Sequence, residues 1–167
     1  MTEYNFYDTD PSGYEEYDIV GADYFDLLAV CFSYCDTLSL LFDLRDVNSA
    51  LLFQDLENYR LPVTENIKHL YDHYGTFDGD KRINYEIRHY RLSNEVKEKI
   101  IGVTDGIFKW IYGWGYSNPM DPAFLRKDGS VFFQSLIHEG VCSLFPQDKE
   151  KVDHIICGKM WNKAREN

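Results

Sequence analysis

Alternation between apolar and polar side chains runs through residues 29–45 and predicts a half-buried strand. The large apolar residues on one parity are Val30, Phe32, Tyr34, Leu38, Leu40, Phe42 and Leu44. The opposite parity is mostly small or polar, and such a period of two is typical of a strand. Asp36 interrupts the apolar parity, so we expect either a bulge there or a buried, hydrogen-bonded carboxylate.

Residues 82–92 alternate in the same way and predict a second strand with one solvated face. Ile83 would lie on its apolar face, with Glu86 and Tyr90 on the solvated one. Three further segments have apolar residues at helical spacing, each preceded by a residue that can cap a helix. These predicted helices and their caps are 48–60 with Asn48 or Ser49, 64–74 with Thr64, and 93–112 with Ser93 or Asn94.

The C-terminal third predicts a three-stranded meander. Asp128-Gly129 and Glu139-Gly140 are turn signals between apolar stretches, and they place strands at about 123–127, 130–138 and 141–145. A last helix would follow Pro146, with Met160 on its inner face. The order of elements predicts one α/β (α+β) domain over residues 1–167, in which three or four helices cover a single mixed, largely antiparallel sheet.

Charge is segregated along the chain. The net charge is −11, and residues 1–60 contain thirteen acidic and two basic residues, whereas residues 61–167 contain fifteen of each. Such a field opposes binding to nucleic acid or to an anionic membrane, and it favours a basic protein partner. An acidic composition that merely aids solubility is the simpler alternative.

The first 26 residues contain eight acids, no Lys or Arg, and many Tyr and Phe side chains. No helical or strand period runs through residues 1–22, so they predict an irregular, acidic, Tyr-rich arm. Carboxylates here would pair with a basic partner, and tyrosines would supply anchors. The predicted contact residues are Asp8, Asp10, Tyr14, Glu15, Glu16, Tyr17, Asp18, Asp23, Tyr24 and Asp26.

Composition indicates a cytoplasmic protein. The N-terminus lacks the basic start and apolar stretch of a secretory signal, and the most apolar run, 27–42, is shorter than a bilayer requires. Four cysteines are too few for a disulfide scaffold and predict small buried thiols. On the predicted strand, Cys31 and Cys35 would lie about 13 Å apart, too far to share a bond or a metal ion.

Candidate chemistry is sparse. His69 and His73 lie four residues apart, as metal-binding pairs on helices do, but no nearby motif supplies a third ligand, and Asp72 would lie on a different face of the helix. They are interpreted as two solvated histidines. His138-Glu139 is the most enzyme-like dipeptide, although it lacks the second histidine of HExxH and falls at a turn. We therefore predict no catalytic residue, no metal ligand and no cofactor.

Three patches, at residues 32–40, 121–129 and 132–139, have an order and spacing that resemble a family of small bacterial proteins. In that family a YCDxxSL strand precedes a DG hairpin and a closing SxxHE segment. Its members look like the small acidic immunity proteins encoded beside polymorphic toxins. The resemblance implies the fold and a toxin partner, and no catalytic residues come with it.

The leading hypothesis is therefore an immunity-type inhibitor that binds and neutralises a cognate basic toxin, such as a nuclease. One alternative is a small hydrolase or transferase that uses His138, Glu139 and Asp36, which requires those side chains to converge on a cleft. Another is a phage-encoded acidic inhibitor that mimics nucleic acid, which requires exposed carboxylates spaced evenly over a long surface.

Overall fold

The computed structural model describes residues 2–9 and 12–164, which are built around an antiparallel sheet. The strands of the protein are β1 (Tyr4–Tyr7), β2 (Thr37–Asp43), β3 (Arg60–Leu61), β4 (Lys81–Arg82), β5 (Tyr85–Arg91), β6 (Tyr112–Gly113), β7 (Tyr116–Ser117), β8 (Met120–Leu125), β9 (Val131–Leu136), β10 (Val141–Leu144) and β11 (Asn162–Lys163). Its helices are α1 (Ala22–Tyr34), α2 (Val47–Leu52), α3 (Glu65–His69), α4 (Asn94–Val103) and α5 (Asp153–Ile156).

Strand order within the described residues is β11-β1-β10-β9-β8-β2-β5-β3, with β4 also paired to β5 and with β6 and β7 in a separate hairpin. Helix α1 packs against β9, α4 and α5. The predicted α+β class with a largely antiparallel sheet is confirmed. The predicted meander is confirmed as β8, β9 and β10, which follow one another through turns at Gly129 and Gly140, both with positive φ.

The strand predicted over 29–45 is wrong in its first half, where α1 continues to Tyr34. Leu27, Leu28 and Cys31 lie on the buried side of this helix, at the steps of three and four that a helix requires. Asp36 is exposed between α1 and β2, so it is neither bulged nor buried. Its backbone holds the connection between α1 and β2 against β8, because the Asp36 N–H donates to the Leu125 carbonyl.

The four cysteines are free thiols, as predicted, but only Cys31, Cys35 and Cys142 are buried, and Cys157 is exposed. Cys31 and Cys35 lie one turn apart at the end of α1 instead of along a strand, and the Cys35 N–H donates to the Cys31 carbonyl. Burial raises the pKa of the Cys35 thiol to about 12. These buried thiols therefore stay protonated near neutral pH.

Strand β5 begins later than predicted and has no solvated face. Ile83, predicted to be buried, lies in the turn before β5 and is 91% exposed, whereas Glu86 and Tyr90 are buried. Buried residues lie on both faces of β5, Ile87 and His89 on one and Glu86 and Tyr90 on the other, so its burial pattern does not alternate. Alternation is diagnostic only for a strand with one wet face.

The helix predicted over 93–112 ends at Val103, because the backbone at Thr104 is extended. Ile107 and Ile111 are buried as expected, but they belong to a 3₁₀ turn and a loop. Gly106 lies where the chain at Asp18 and Val20 passes closely. A Cβ atom at Gly106 would lie 2.6 Å from Asp18 Oδ2, so only glycine allows this approach.

The N-cap of α4 is confirmed as Ser93, whose Oγ accepts the Val96 N–H at 3.3 Å. We expect Ser93→Ala to lower the free energy of unfolding by about 1 kcal/mol, because one N–H of the first turn loses its acceptor. Urea denaturation measures this change. Thr64→Ala is the matched control, since Thr64 caps α3 without a side-chain hydrogen bond. Equal losses in both variants would contradict the capping role.

The other predicted helices are shorter than expected. Segment 48–60 is α2 followed by a 3₁₀ turn at Gln54–Tyr59, and Asp46 caps α2 by accepting the Asn48 N–H. Segment 64–74 is α3 followed by a 3₁₀ turn at Asp72–Tyr74. The helix after Pro146 is the single turn α5, and Met160, predicted to face inward, is 47% exposed.

The N-terminal segment is part of the sheet, so the predicted irregular arm is wrong for residues 4–7. Strand β1 lies between β10 and β11, and Phe6 faces the core. The chain then folds back on itself, with the Tyr17 N–H donating to the Asp8 carbonyl. Pairing with a strand about 140 residues away in sequence leaves no local period to recognise.

Candidate functional sites

A groove lies beside β1 and the chain around Met160, near the edge of the sheet that β11 forms. Its deeper part, about 470 Å³, has an apolar floor and an acidic rim, and a second part of about 650 Å³ adjoins it through the shared residues Tyr17 and Met160. The floor of the deeper part comprises Phe6, Ile19, Leu27, Ile155 and Trp161. We call this feature the N-terminal groove. Four carboxylates from the first 26 residues form its rim, namely Asp8, Glu16, Asp18 and Asp23, and Glu139 and Lys159 also line it.

The four rim carboxylates differ in their surroundings. Glu16 is exposed, and Asp23 forms an ion pair with Lys159 at 2.6 Å. Asp18 accepts the Phe108 N–H at 3.1 Å and ties the groove to the 3₁₀ turn at Ile107–Lys109. Burial raises the pKa of Asp18 although this backbone hydrogen bond opposes the shift. A cation that enters the groove would favour the ionised form of Asp18.

Half of the residues predicted to contact a partner line this groove, namely Asp8, Glu16, Tyr17, Asp18 and Asp23. Tyr14, Glu15 and Asp26 are exposed but do not line it, with Tyr14 90% exposed. Asp10 lies outside the described residues. The sequence does not predict the apolar floor, because the five residues of the floor come from five separate elements or loops.

Tyr24 does not belong to the accessible surface. It is completely buried in α1, and its hydroxyl accepts the Trp110 Nε1–H at 2.8 Å. Burial raises the pKa of this phenol. Tyr24 therefore has a core role, and a surface-bound partner cannot use it as an anchor in this structure.

The three side chains of the enzyme alternative do not converge. Asp36 is hydrogen-bonded through its backbone to Leu125, at one end of β8, whereas His138 lies near Asp121, at the other end. Four residues of strand separate these ends by about 14 Å. Glu139 remains close to His138, with Oε1 3.6 Å from Nε2.

His138 instead joins a cluster with His73 and Asp121. His73 Nε2 lies 3.4 Å and His138 Nδ1 3.9 Å from Asp121 Oδ2, and the two imidazole rings stack with centroids 4.9 Å apart. His69 is absent from this cluster, because it pairs with Asp72 at 2.9 Å on the exposed side of α3. The sequence placed His73 four residues from His69, whereas in the structure His73 stacks on His138, 65 residues further along the chain.

Asp121 is the fixed centre of the cluster. Its side chain is 1% exposed and its φ is 49°, a left-handed conformation that few residues other than glycine adopt. Its Oδ1 accepts the Ile137 N–H at 2.7 Å, and its Oδ2 accepts the Tyr74 hydroxyl at 2.7 Å. Burial and the Asp121 charge raise the pKa of Tyr74, so this phenol remains a donor.

The cluster opens onto a cleft of about 520 Å³ at the end of β2. His138 and Tyr74 form one wall, while Arg45, Tyr85 and Tyr112 line the remainder. Arg45 pairs with the buried Asp43 at 2.5 Å. Although burial favours the protonated carboxyl, the hydrogen bonds from Arg45 lower the pKa of Asp43. The cleft therefore holds the Arg45–Asp43 ion pair and one imidazole of the cluster, that of His138.

Comparisons of the chain with models of protein families, with curated proteins and with solved structures found no match. Among the described residues, no helix has both the length and the apolar character needed to cross a membrane.

Proposed function

We propose that this protein is an immunity-type inhibitor that binds and neutralises a cognate basic protein toxin, and that the N-terminal groove is its contact surface. The observation that carries the proposal is the juxtaposition of an apolar floor with a rim of four carboxylates. The resemblance at residues 32–40, 121–129 and 132–139 supports the same class of function.

The groove suits a lysine or arginine side chain from a partner. The aliphatic stem of such a side chain can cover apolar surface while its charged head stays near the rim. Phe6 and Trp161 pack edge to face on the floor, with centroids 5.7 Å apart, and the exposed Glu16 lines the same part of the groove. Hydrogen bonds between a cation and a carboxylate are stronger than those between neutral groups.

The charge of the whole N-terminal third supports the same partner. Several of its acids are already paired within the structure, including Asp43 with Arg45, Asp55 with Lys99 and Glu57 with Arg60. The exposed carboxylates Glu16, Asp26 and Asp36 add a negative field that attracts a basic protein. Steering of this kind acts mainly on the association rate.

The test uses the toxin encoded by the neighbouring gene, with toxicity in co-expressing cells and complex formation by the purified proteins as readouts. We expect Glu16→Lys to slow association with that toxin by about tenfold or more, because the variant puts a cation where the partner's cation must dock. Association should also slow as salt is raised. Surface plasmon resonance measures both effects.

Glu98→Lys is the matched control, because it makes the same change of charge at an exposed position of α4, which contributes none of the described lining residues of the groove. Equal effects of the two substitutions would mean that only net charge matters and would refute the groove as the contact surface. Absence of both complex and protection with the wild-type protein would refute the immunity function itself.

A further inference from the structure

We propose that His73, Asp121 and His138 bind a divalent transition-metal ion of the zinc class. One ligand atom from each residue lies within 4.8 Å of the other two. In a tetrahedral zinc site with bonds of about 2.0–2.1 Å, neighbouring ligand atoms are about 3.3–3.4 Å apart. His73 Nε2 and His138 Nδ1 lie 3.4 and 3.9 Å from Asp121 Oδ2, and the two histidine ligand atoms lie within 4.8 Å of each other, so reaching these separations requires a contraction of about 1.5 Å or less.

Each of two proposed ligands, His138 and Asp121, has neighbouring polar groups of the kind that orient the ligands in metal sites. A metal-binding histidine commonly donates its second ring N–H to a carboxylate, and Glu139 Oε1 lies 3.6 Å from His138 Nε2. A hydrogen bond from Nε2–H to Glu139 would leave Nδ1 as the ligand atom facing Asp121, where the Tyr74 hydroxyl lies 3.3 Å from it. The remaining Asp121 oxygen is held by the Ile137 N–H, and Tyr74 donates to the ligating oxygen.

The chemistry of the ligands selects the class of metal. Two imidazoles and one carboxylate suit zinc and its neighbours, whereas magnesium and calcium prefer sites made of oxygen ligands. The histidine side chains are 23% and 41% exposed, so the ion would have access from the cleft that contains Arg45 and Tyr112. Three protein ligands leave the fourth position of a tetrahedron to water or to a small anion.

The site would also join distant parts of the chain. His73 lies in the 3₁₀ turn after α3, Asp121 in β8, and His138 in the turn between β9 and β10. Binding to the folded state alone raises its stability through linkage. Zinc should therefore raise the melting temperature as well as bind.

The experiment titrates Zn²⁺, and separately Mg²⁺, into untagged full-length protein that has been treated with a chelator and dialysed. Isothermal titration calorimetry should show one Zn²⁺ per chain and no binding of Mg²⁺. His73→Ala and His138→Ala should each weaken Zn²⁺ binding by at least about tenfold, since loss of an outer hydrogen-bond partner alone commonly has that effect. The increase in melting temperature with Zn²⁺ should disappear in both variants.

His69→Ala is the matched control, because His69 is exposed on α3 and points away from the cluster to Asp72. It should bind Zn²⁺ as the wild type does. Asp121 is left unchanged, since it also holds the Ile137 N–H and its loss could unfold the protein; circular dichroism verifies the fold of each histidine variant. Failure of the wild type to bind Zn²⁺, wild-type affinity in both cluster variants, or an equal loss in His69→Ala would overturn the proposal.

Discussion

Arg126→Met is expected to lower the free energy of unfolding by about 3–5 kcal/mol, because it breaks a buried ion pair and leaves the partner charge uncompensated. The Arg126 guanidinium is 7% exposed and donates to both carboxylate oxygens of Glu150, at 2.6 and 2.7 Å. It also donates to the backbone carbonyls of Val131 and Phe145, each at 2.7 Å. Methionine fills similar space but satisfies none of these acceptors.

Urea denaturation of wild type and variant at pH 7 measures this loss. The matched control is Arg91→Met, which removes the same charge from an exposed position at the end of β5, and we expect a change of about 0.5 kcal/mol or less there. A loss at Arg126 no larger than at Arg91 would show that the buried pair contributes nothing that methionine cannot replace.

The same pair predicts a dependence of stability on pH. Burial opposes ionisation of Glu150, but its hydrogen bonds with Arg126 outweigh this effect and lower the pKa of Glu150 below its ordinary 4.5. A lowered pKa in the folded state adds stability above about pH 4.5, which is lost as the pH falls through the folded-state pKa. The decline in stability on acidification should therefore be shallower in Arg126→Met than in the wild type.

Tyr24→Ala is the second substitution with a large expected effect, a loss of about 3–5 kcal/mol of unfolding free energy. Removing the ring leaves a cavity in the core beneath α1, where Tyr24 is completely buried. The Trp110 indole N–H also loses its acceptor, and a buried donor without a partner adds to the cost. Thermal unfolding followed by tryptophan fluorescence measures this loss.

Tyr14→Ala is the control for Tyr24→Ala. Tyr14 is 90% exposed, so its removal should change stability by about 0.5 kcal/mol or less. The pair of variants separates a core residue from a surface residue within one tyrosine-rich segment. If Tyr24→Ala kept its stability and instead weakened binding to the toxin, the core assignment would be wrong and Tyr24 would be an anchor after all.

Elements with local signals were predicted well. The meander of β8, β9 and β10 follows from Asp128-Gly129 and Glu139-Gly140, because a tight turn between apolar stretches needs no distant information. The start of α4 was predicted for the same reason, since Ser93 caps the helix within its own first turn. Its end was not predicted, because the apolar spacing continues to Ile111 although the backbone becomes extended at Thr104.

Elements defined by distant contacts were predicted poorly. Alternation through residues 29–45 indicated one strand, yet α1 occupies the first half, since its neighbours β9, α4 and α5 cover one side of a helix there. Strand β1 has no period of its own, because β10 supplies its partner. Local propensity is a weak guide when tertiary contacts decide the conformation.

The sequence by itself determined the fold class, the meander and the segregation of acidic residues into the first sixty positions. Only the tertiary structure decided which of these acids face a common groove, because Asp18 and Asp23 meet Phe6 and Trp161 through the folding of both termini onto one sheet edge. The same holds for the cluster around Asp121. His73 and His138 lie 48 and 17 residues from Asp121 in the sequence, and ligands so far apart form no short sequence motif.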